Sequence, residues 1–207
     1  MTLAPFLLLC AQAQDATIAP YETVVINAES DFEACGVADL DSDGDLDIVS
    51  GDTWYEAPEW TRHSVSPIRA VGGYRVDFAD VPLDVNGDGR MDIVTCAYFS
   101  RRITWVEQPD DPTTPWTEHL IDTPGSMETS YFVDLYGDGT PVYLPNAGGQ
   151  VVWYELKSKT PKVEWIKRQV SPKGAGHGVG HGDGRRQGYA VGRRLWRGCA
   201  RFRQFRR

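Results

Sequence analysis

From Cys35 onward, short apolar runs alternate with polar turns, and one four-part order recurs along the chain. Each unit opens with an apolar segment that runs into an acidic loop: CGVADLD at 35–41, VDFADVPLD at 76–84 and SYFVDLYGD at 130–138. A second apolar segment follows at DIVSG (47–51), DIVTCAY (92–98) and PVYLPNA (141–147). An aromatic segment comes third, at TWYEAP (53–58), ITWVEQP (103–109) and VVWYELK (151–157). The unit closes on WTRHSVS (60–66), WTEHLID (116–122) and WIKRQVS (165–171), and YETVVIN (21–27) reads as a closing segment standing alone. Runs of this length, with period-two character and Gly, Pro, Asn or Asp at their ends, predict strands.

The aromatic leads Tyr21, Trp60, Trp116 and Trp165 are 39, 56 and 49 residues apart. Four short strands at such a period are the mark of a β-propeller blade. A β-sandwich also yields short alternating strands, but it does not repeat one four-part unit three times. The expected fold is therefore all-β, with about three complete four-stranded propeller blades plus a partial one in an incomplete ring. Blades occupy residues 17–173, and the lone strand at 21–27 is what a ring stitched from both termini would show.

The loops carry the candidate chemistry. Asp39, Asp41, Asp43, Asp45 and Asp47 put five carboxylates into nine residues with no base among them. The second loop places Asp84, Asn86, Asp88, Arg90 and Asp92 on the same frame, D-x-[DN]-x-D-G-x-x-D. Oxygens at positions 1, 3, 5 and 9, with the main-chain carbonyl of position 7 (Asp45 or Arg90), can wrap one hard cation, and glycine at position 6 permits the sharp turn. The expected ion is Ca²⁺. Mg²⁺ is second, since it demands strict octahedra and keeps several waters, while zinc would want the His or Cys that both loops lack. Turn chemistry alone would not call for so much uncompensated charge. No helices are expected to flank the loop and its last acid falls at position 9, not 12, so an EF-hand is excluded. In the third loop, from Asp134 to Val142, Tyr136 and Val142 stand where oxygens are needed, and an ion-free turn is expected.

At these residues, VADLDSDGDLDIVSG, DVNGDGRMDIV and more weakly VDLYGDGTPV, the sequence resembles the FG-GAP/VCBS calcium-binding propeller repeats, a group similar to the integrin α-chain propeller. The pattern W-[YV]-E-x-P…W-T-x-H also resembles bacterial repeat proteins related to the aldos-2-ulose dehydratase propeller and to calcium-dependent polysaccharide lyases. The resemblance implies a secreted propeller, sometimes with carbohydrate chemistry.

Charge and composition refine this. The 12 basic and 29 acidic residues up to Gly184 leave a body at −17, whereas residues 185–207 hold nine Arg and no acid. An acidic body favours cations over nucleic acid as partners. The apolar run Leu3–Cys10 before Ala11-Gln12-Ala13 reads as a signal peptide over residues 1–13, and it is too short to span a bilayer. Beyond it remain Cys35, Cys96 and Cys199, which have neither the number of a disulfide framework nor the spacing of a metal site. His63 and His119 recur at equivalent positions, which suits repeat packing better than catalysis. His177 and His181 lie in a Gly-rich stretch with no third ligand in view. Residues 174–207 open a fourth unit and break off into the Arg-rich tail, as a frameshifted reading of a longer gene would. No catalytic residue is assigned. The expected function is a secreted, periplasmic or cell-surface calcium-binding module with a glycan or protein ligand; the alternative is a fragment of a carbohydrate-active lyase or dehydratase.

Overall fold

The computed structural model describes residues 23–68, 70–148 and 150–171, together with two short strands at 178–179 and 190–191. It is all-β among these residues. The first four-stranded antiparallel sheet is formed by β1 (Gly36–Ala38), β2 (Asp47–Ser50), β3 (Thr53–Glu56) and β4 (Thr61–Ser64). A short hairpin, β5 (Ala70–Val71) and β6 (Tyr74–Arg75), intervenes. The second sheet contains β7 (Ala79–Leu83), β8 (Asp92–Cys96), β9 (Ile103–Glu107) and β10 (Thr117–Asp122), and the third β11 (Ser130–Val133), β12 (Val142–Pro145), β13 (Val151–Ser158) and β14 (Glu164–Ser171). In each sheet the strands pair in chain order, so each is one propeller-like blade. A final two-stranded pair joins β15 (Gly178–Val179) to β16 (Ala190–Val191).

The first strands define the inner edge. β7 lies against β1 on one side and β11 on the other, so the blades follow one another around an arc. A Cβ on Gly36 would stand 2.6 Å from the Asp80 carbonyl and 3.2 Å from Pro82, so only glycine lets β1 and β7 approach this closely. Pro82 is tolerated because β7 is the edge of its sheet and needs no ladder N–H at that point. Burial then falls outward: β12 is buried throughout, whereas β4 and β10 are largely exposed. No closed ring forms among the described residues.

The core lies between blades. Leu40, Val49, Trp54, Val65, Ile93, Val106 and Trp116 pack the first blade on the second. Val94, Ile103, Trp105, Tyr143, Val152 and Tyr154 belong to the cluster joining second and third. Polar contacts cross the same seams. The Trp116 N–H donates to the Val65 carbonyl at 2.9 Å, and the Gln108 side-chain amide donates to the Leu40 carbonyl at 2.6 Å. Asp80 accepts from the Gly51 N–H at 2.9 Å, and its neighbour Asp77 accepts from the Thr95 hydroxyl at 2.5 Å. Both carboxyls are buried, and the second oxygen of Asp77 has no hydrogen-bond donor among the described residues. Burial pushes the Asp77 carboxyl up to about 6; burial and the adjacent Asp77 push Asp80 up well beyond the usual range.

Two expectations are revised. Residues 23–27, the described part of the lone closing strand, form no strand. Val24 and Val25 are exposed there, so the alternation of YETVVIN meets no partner sheet among the described residues. The hairpin at 70–75 was not anticipated, although Gly72 and Gly73, both with positive φ (61° and 86°), supply the two-residue turn such a hairpin needs. The proposed signal segment lies outside the described residues, as do His177, His181 and Cys199. So does the Arg-rich tail apart from the short strand at 190–191. Cys35 and Cys96 are free thiols, one exposed and one buried, and burial pushes Cys96 up to about 12.

Candidate metal centre

All three acidic loops adopt one backbone path between first and second strand. Position 6 is glycine with φ of 98°, 91° and 83° at Gly44, Gly89 and Gly139. Position 4 is also left-handed: Gly87 and Gly137 take φ of 81° and 72°, and Ser42 is driven to 67° in the first loop. A non-glycine residue in that region costs about 1–2 kcal/mol, so the first loop holds its shape against a local preference.

That shape turns carboxylates inward. One Asp39 oxygen accepts the Asp43 N–H at 3.2 Å and the other the Gly44 N–H at 3.1 Å, while Asp41 accepts the Asp43 N–H at 3.1 Å. One carboxylate oxygen each of Asp39, Asp41 and Asp43 thereby falls within 4.8 Å of the others. No Lys, Arg or His forms an ion pair with any of the three among the described residues. Burial, and then the charges of Asp43, Asp47 and Glu56, hold the Asp41 carboxyl above its ordinary value. An oxygen-only set of this kind fits a hard divalent cation, which would supply the missing positive charge.

Asp45 is exposed, and its N–H is held by Asp43 at 2.8 Å. Asp47 is buried and acts as a clamp: one oxygen accepts the Leu40 N–H at 2.8 Å, the other the Ala57 N–H at 2.9 Å. Asp92 repeats this in the second loop, accepting from Val85 and Gln108, each at 2.9 Å. Burial pushes Asp92 up to about 6, with the nearby Asp88 charge adding to the rise. Position 9 thus ties the loop to the chain leaving the third strand, whatever else it does.

The second loop differs in its charges. Asp84 faces the Lys159 ammonium of the third blade at 3.4 Å, and Asp88 pairs with Arg90 at 2.5 Å. Arg90 also reaches Asp110 at 2.9 Å. The Asn86 amide donates to Asp88 at 2.8 Å and to Glu107 at 3.0 Å. In the third loop Asp134 accepts the N–H groups of Gly137, Asp138 and Gly139, which hold its carboxyl below the ordinary value. Tyr136 donates to Glu155 at 2.5 Å.

Glu56, Glu107 and Glu155 occupy one position, two residues after the third-strand Trp, and sequence reasoning assigned them nothing. Each meets the fourth strand, and Glu107 and Glu155 also accept a donor from their own loops. Glu56 meets His63 at 2.6 Å, Glu107 meets His119 at 2.7 Å and Glu155 meets Arg168 at 3.1 Å. His63 stacks on Trp54 and His119 on Trp105, both at 4.4 Å between ring centres. Where blades two and three set a donor (Asn86, Tyr136) against this glutamate, the first blade sets Asp41, a second carboxylate. The recurring W-[YV]-E triplet was the available signal.

Residues 84–144, from the second loop through the third blade's second strand, match the family model for the FG-GAP-like repeat. No curated protein matches the chain.

Proposed function

We propose that the chain is a calcium-binding propeller-type module that works outside the cytoplasm by holding a partner molecule. The observation that carries the ion assignment is the first loop: three carboxylates converge with no basic side chain against them among the described residues, at a position whose counterparts in the other blades are closed by donors or cations. The frame D-x-[DN]-x-D-G-x-x-D and the repeat family matched over 84–144 support the same ion. In this reading Asp39, Asp41 and Asp43 form the primary site, with Asp45 through its carbonyl and Asp47 completing it. Asp84, Asn86, Asp88, Arg90 (carbonyl) and Asp92 form a second, weaker site from which Lys159 and the Arg90 guanidinium must first withdraw. Extracellular modules of this kind work at Kd about 10⁻⁴–10⁻³ M, which the medium outside a cell supplies. The apolar segment Leu3–Cys10 followed by A-x-A is the sequence support for that location.

Thermal unfolding tests the assignment. At a calcium concentration near a hundred times Kd the site adds about 2.7 kcal/mol, which raises Tm by roughly 5–10 °C over the chelated protein. Asp41→Ala removes most of that shift. A Tm indifferent to EGTA sinks the reading.

A further inference from the structure

We propose that the face opposite the acidic loops binds a neutral glycan, seated in the cleft between the second and third blades. The inference extends the reading of the chain as a binding module, but it rests on different residues. Acidic loops leave the first strand of each blade at one rim. The β8–β9 and β12–β13 turns and the links between blades lie at the other. There a cleft of about 430 Å³ is lined by Tyr98, Arg101, Ser126, Glu128 and Asn146, a volume in the range of small-ligand sites.

Asn146 is the most constrained of these. It is only 5% exposed, and its side-chain oxygen accepts the N–H groups of Glu128 at 2.9 Å and Thr129 at 3.1 Å. Two donors on one atom fix which end of the amide is oxygen. The NH₂ end therefore faces away from them and has no hydrogen-bond acceptor among the described residues, on a side chain that lines the cleft. That donor is left to solvent at the cleft wall, where a ligand oxygen can accept from it. Arg101 lines the same cleft from a left-handed turn position, with φ of 59°, and forms no ion pair among the described residues.

Aromatic faces continue from the same wall. Tyr98 stands edge-on to Phe99 at 5.2 Å, Phe99 lies 5.3 Å from Tyr74, and Phe78 backs both turn residues at 6.3 and 6.2 Å. Tyr74, Tyr98 and Phe99 remain 55%, 39% and 38% exposed, an apolar patch the interior does not claim. Tyr74 is delivered by the β5–β6 hairpin, in a link of 14 residues (65–78) where the next inter-blade link, 123–129, takes seven. Rings beside planar hydrogen-bonding side chains suit a pyranose, whose C–H face stacks while its hydroxyls take both donors and acceptors. The net charge of −8 on the full chain disfavours polyanionic ligands, so a neutral glycan is the ligand proposed.

Affinity electrophoresis of the full chain tests this, run with saturating calcium in gels holding soluble β-glucan, xylan, glucomannan or galactan, with polygalacturonate as the anionic comparison. At least one neutral polysaccharide should retard the protein. Tyr98→Ala and Tyr74→Ala should each weaken retardation about three- to tenfold. Asn146→Asp keeps the acceptor for both amides but removes the NH₂ donor, and should weaken it about tenfold at little cost in Tm. Retardation by polygalacturonate alone, by no polysaccharide, or equally in all three variants overturns the proposal. Calcium-dependent melting without glycan retention would overturn this site and spare the metal centre; glycan retention with calcium-independent melting would do the reverse.

Discussion

Asp92 is where loop and blade are fastened together. Its two oxygens take the N–H groups of Val85 and Gln108, one before the second strand and one after the third. Removing that carboxylate strands two backbone donors in a buried place, at roughly 1–3 kcal/mol each before relaxation. Asp92→Ala should therefore lower stability by about 2–5 kcal/mol, measured by urea unfolding. The distinguishing feature is that this loss persists in EGTA, since the clamp needs no ion. A loss confined to calcium-loaded protein would show that ligation is its only role. Asp41→Ala should behave the opposite way, because among the described residues Asp41 accepts only the Asp43 N–H, in a loop open to solvent.

Among the elements, the four-strand order of each blade was readable because strand burial here depends on local alternation and turn residues. DIVSG, TWYEAP and their counterparts carried both. The hairpin at 70–75 was missed because its strands are two residues each, too short for any periodicity to register. The loop frame was equally legible, but the duty of its last acid was not. The partners of Asp47 and Asp92 are Ala57 and Gln108, 10 and 16 residues downstream, joined only once the third strand has folded back. Lys159 could not be read at all, since it reaches Asp84 from another blade across 75 residues of chain. It supplies a test of the second loop. Lys159→Ala breaks a partly exposed pair worth at most about 1 kcal/mol, so the chelated protein should melt nearly unchanged. Calcium titration should show the weaker site tightening several-fold as its competitor leaves; unaltered affinity would mean the ammonium never opposed the ion.

For the molecule as a whole, the seam between first and second blades carries a pH dependence of its own. Asp77 is raised to about 6 and Asp80 further, both chiefly by burial, against an ordinary carboxylate near 4. Groups raised in the fold contribute stability that is full below about pH 4 and drains away as pH climbs through about 6. Asp77→Asn keeps an acceptor for Thr95 and offers Asp80 an N–H in place of a proton. It should melt several degrees above the parent near pH 7 and level with it near pH 4.5, a difference of about 1–3 kcal/mol; scanning calorimetry at both pH values measures it, and equal melting at neutrality would show that the pair is not strained by charge. Beyond the seams, each sheet holds its own Trp, Glu and basic residue on adjoining outer strands. Such a strap is built wholly within one sheet and borrows nothing from its neighbours. The third sheet keeps the strap and the glycine turns although Tyr136 and Val142 stand in its loop, so a blade's shape tolerates exchange of loop side chains.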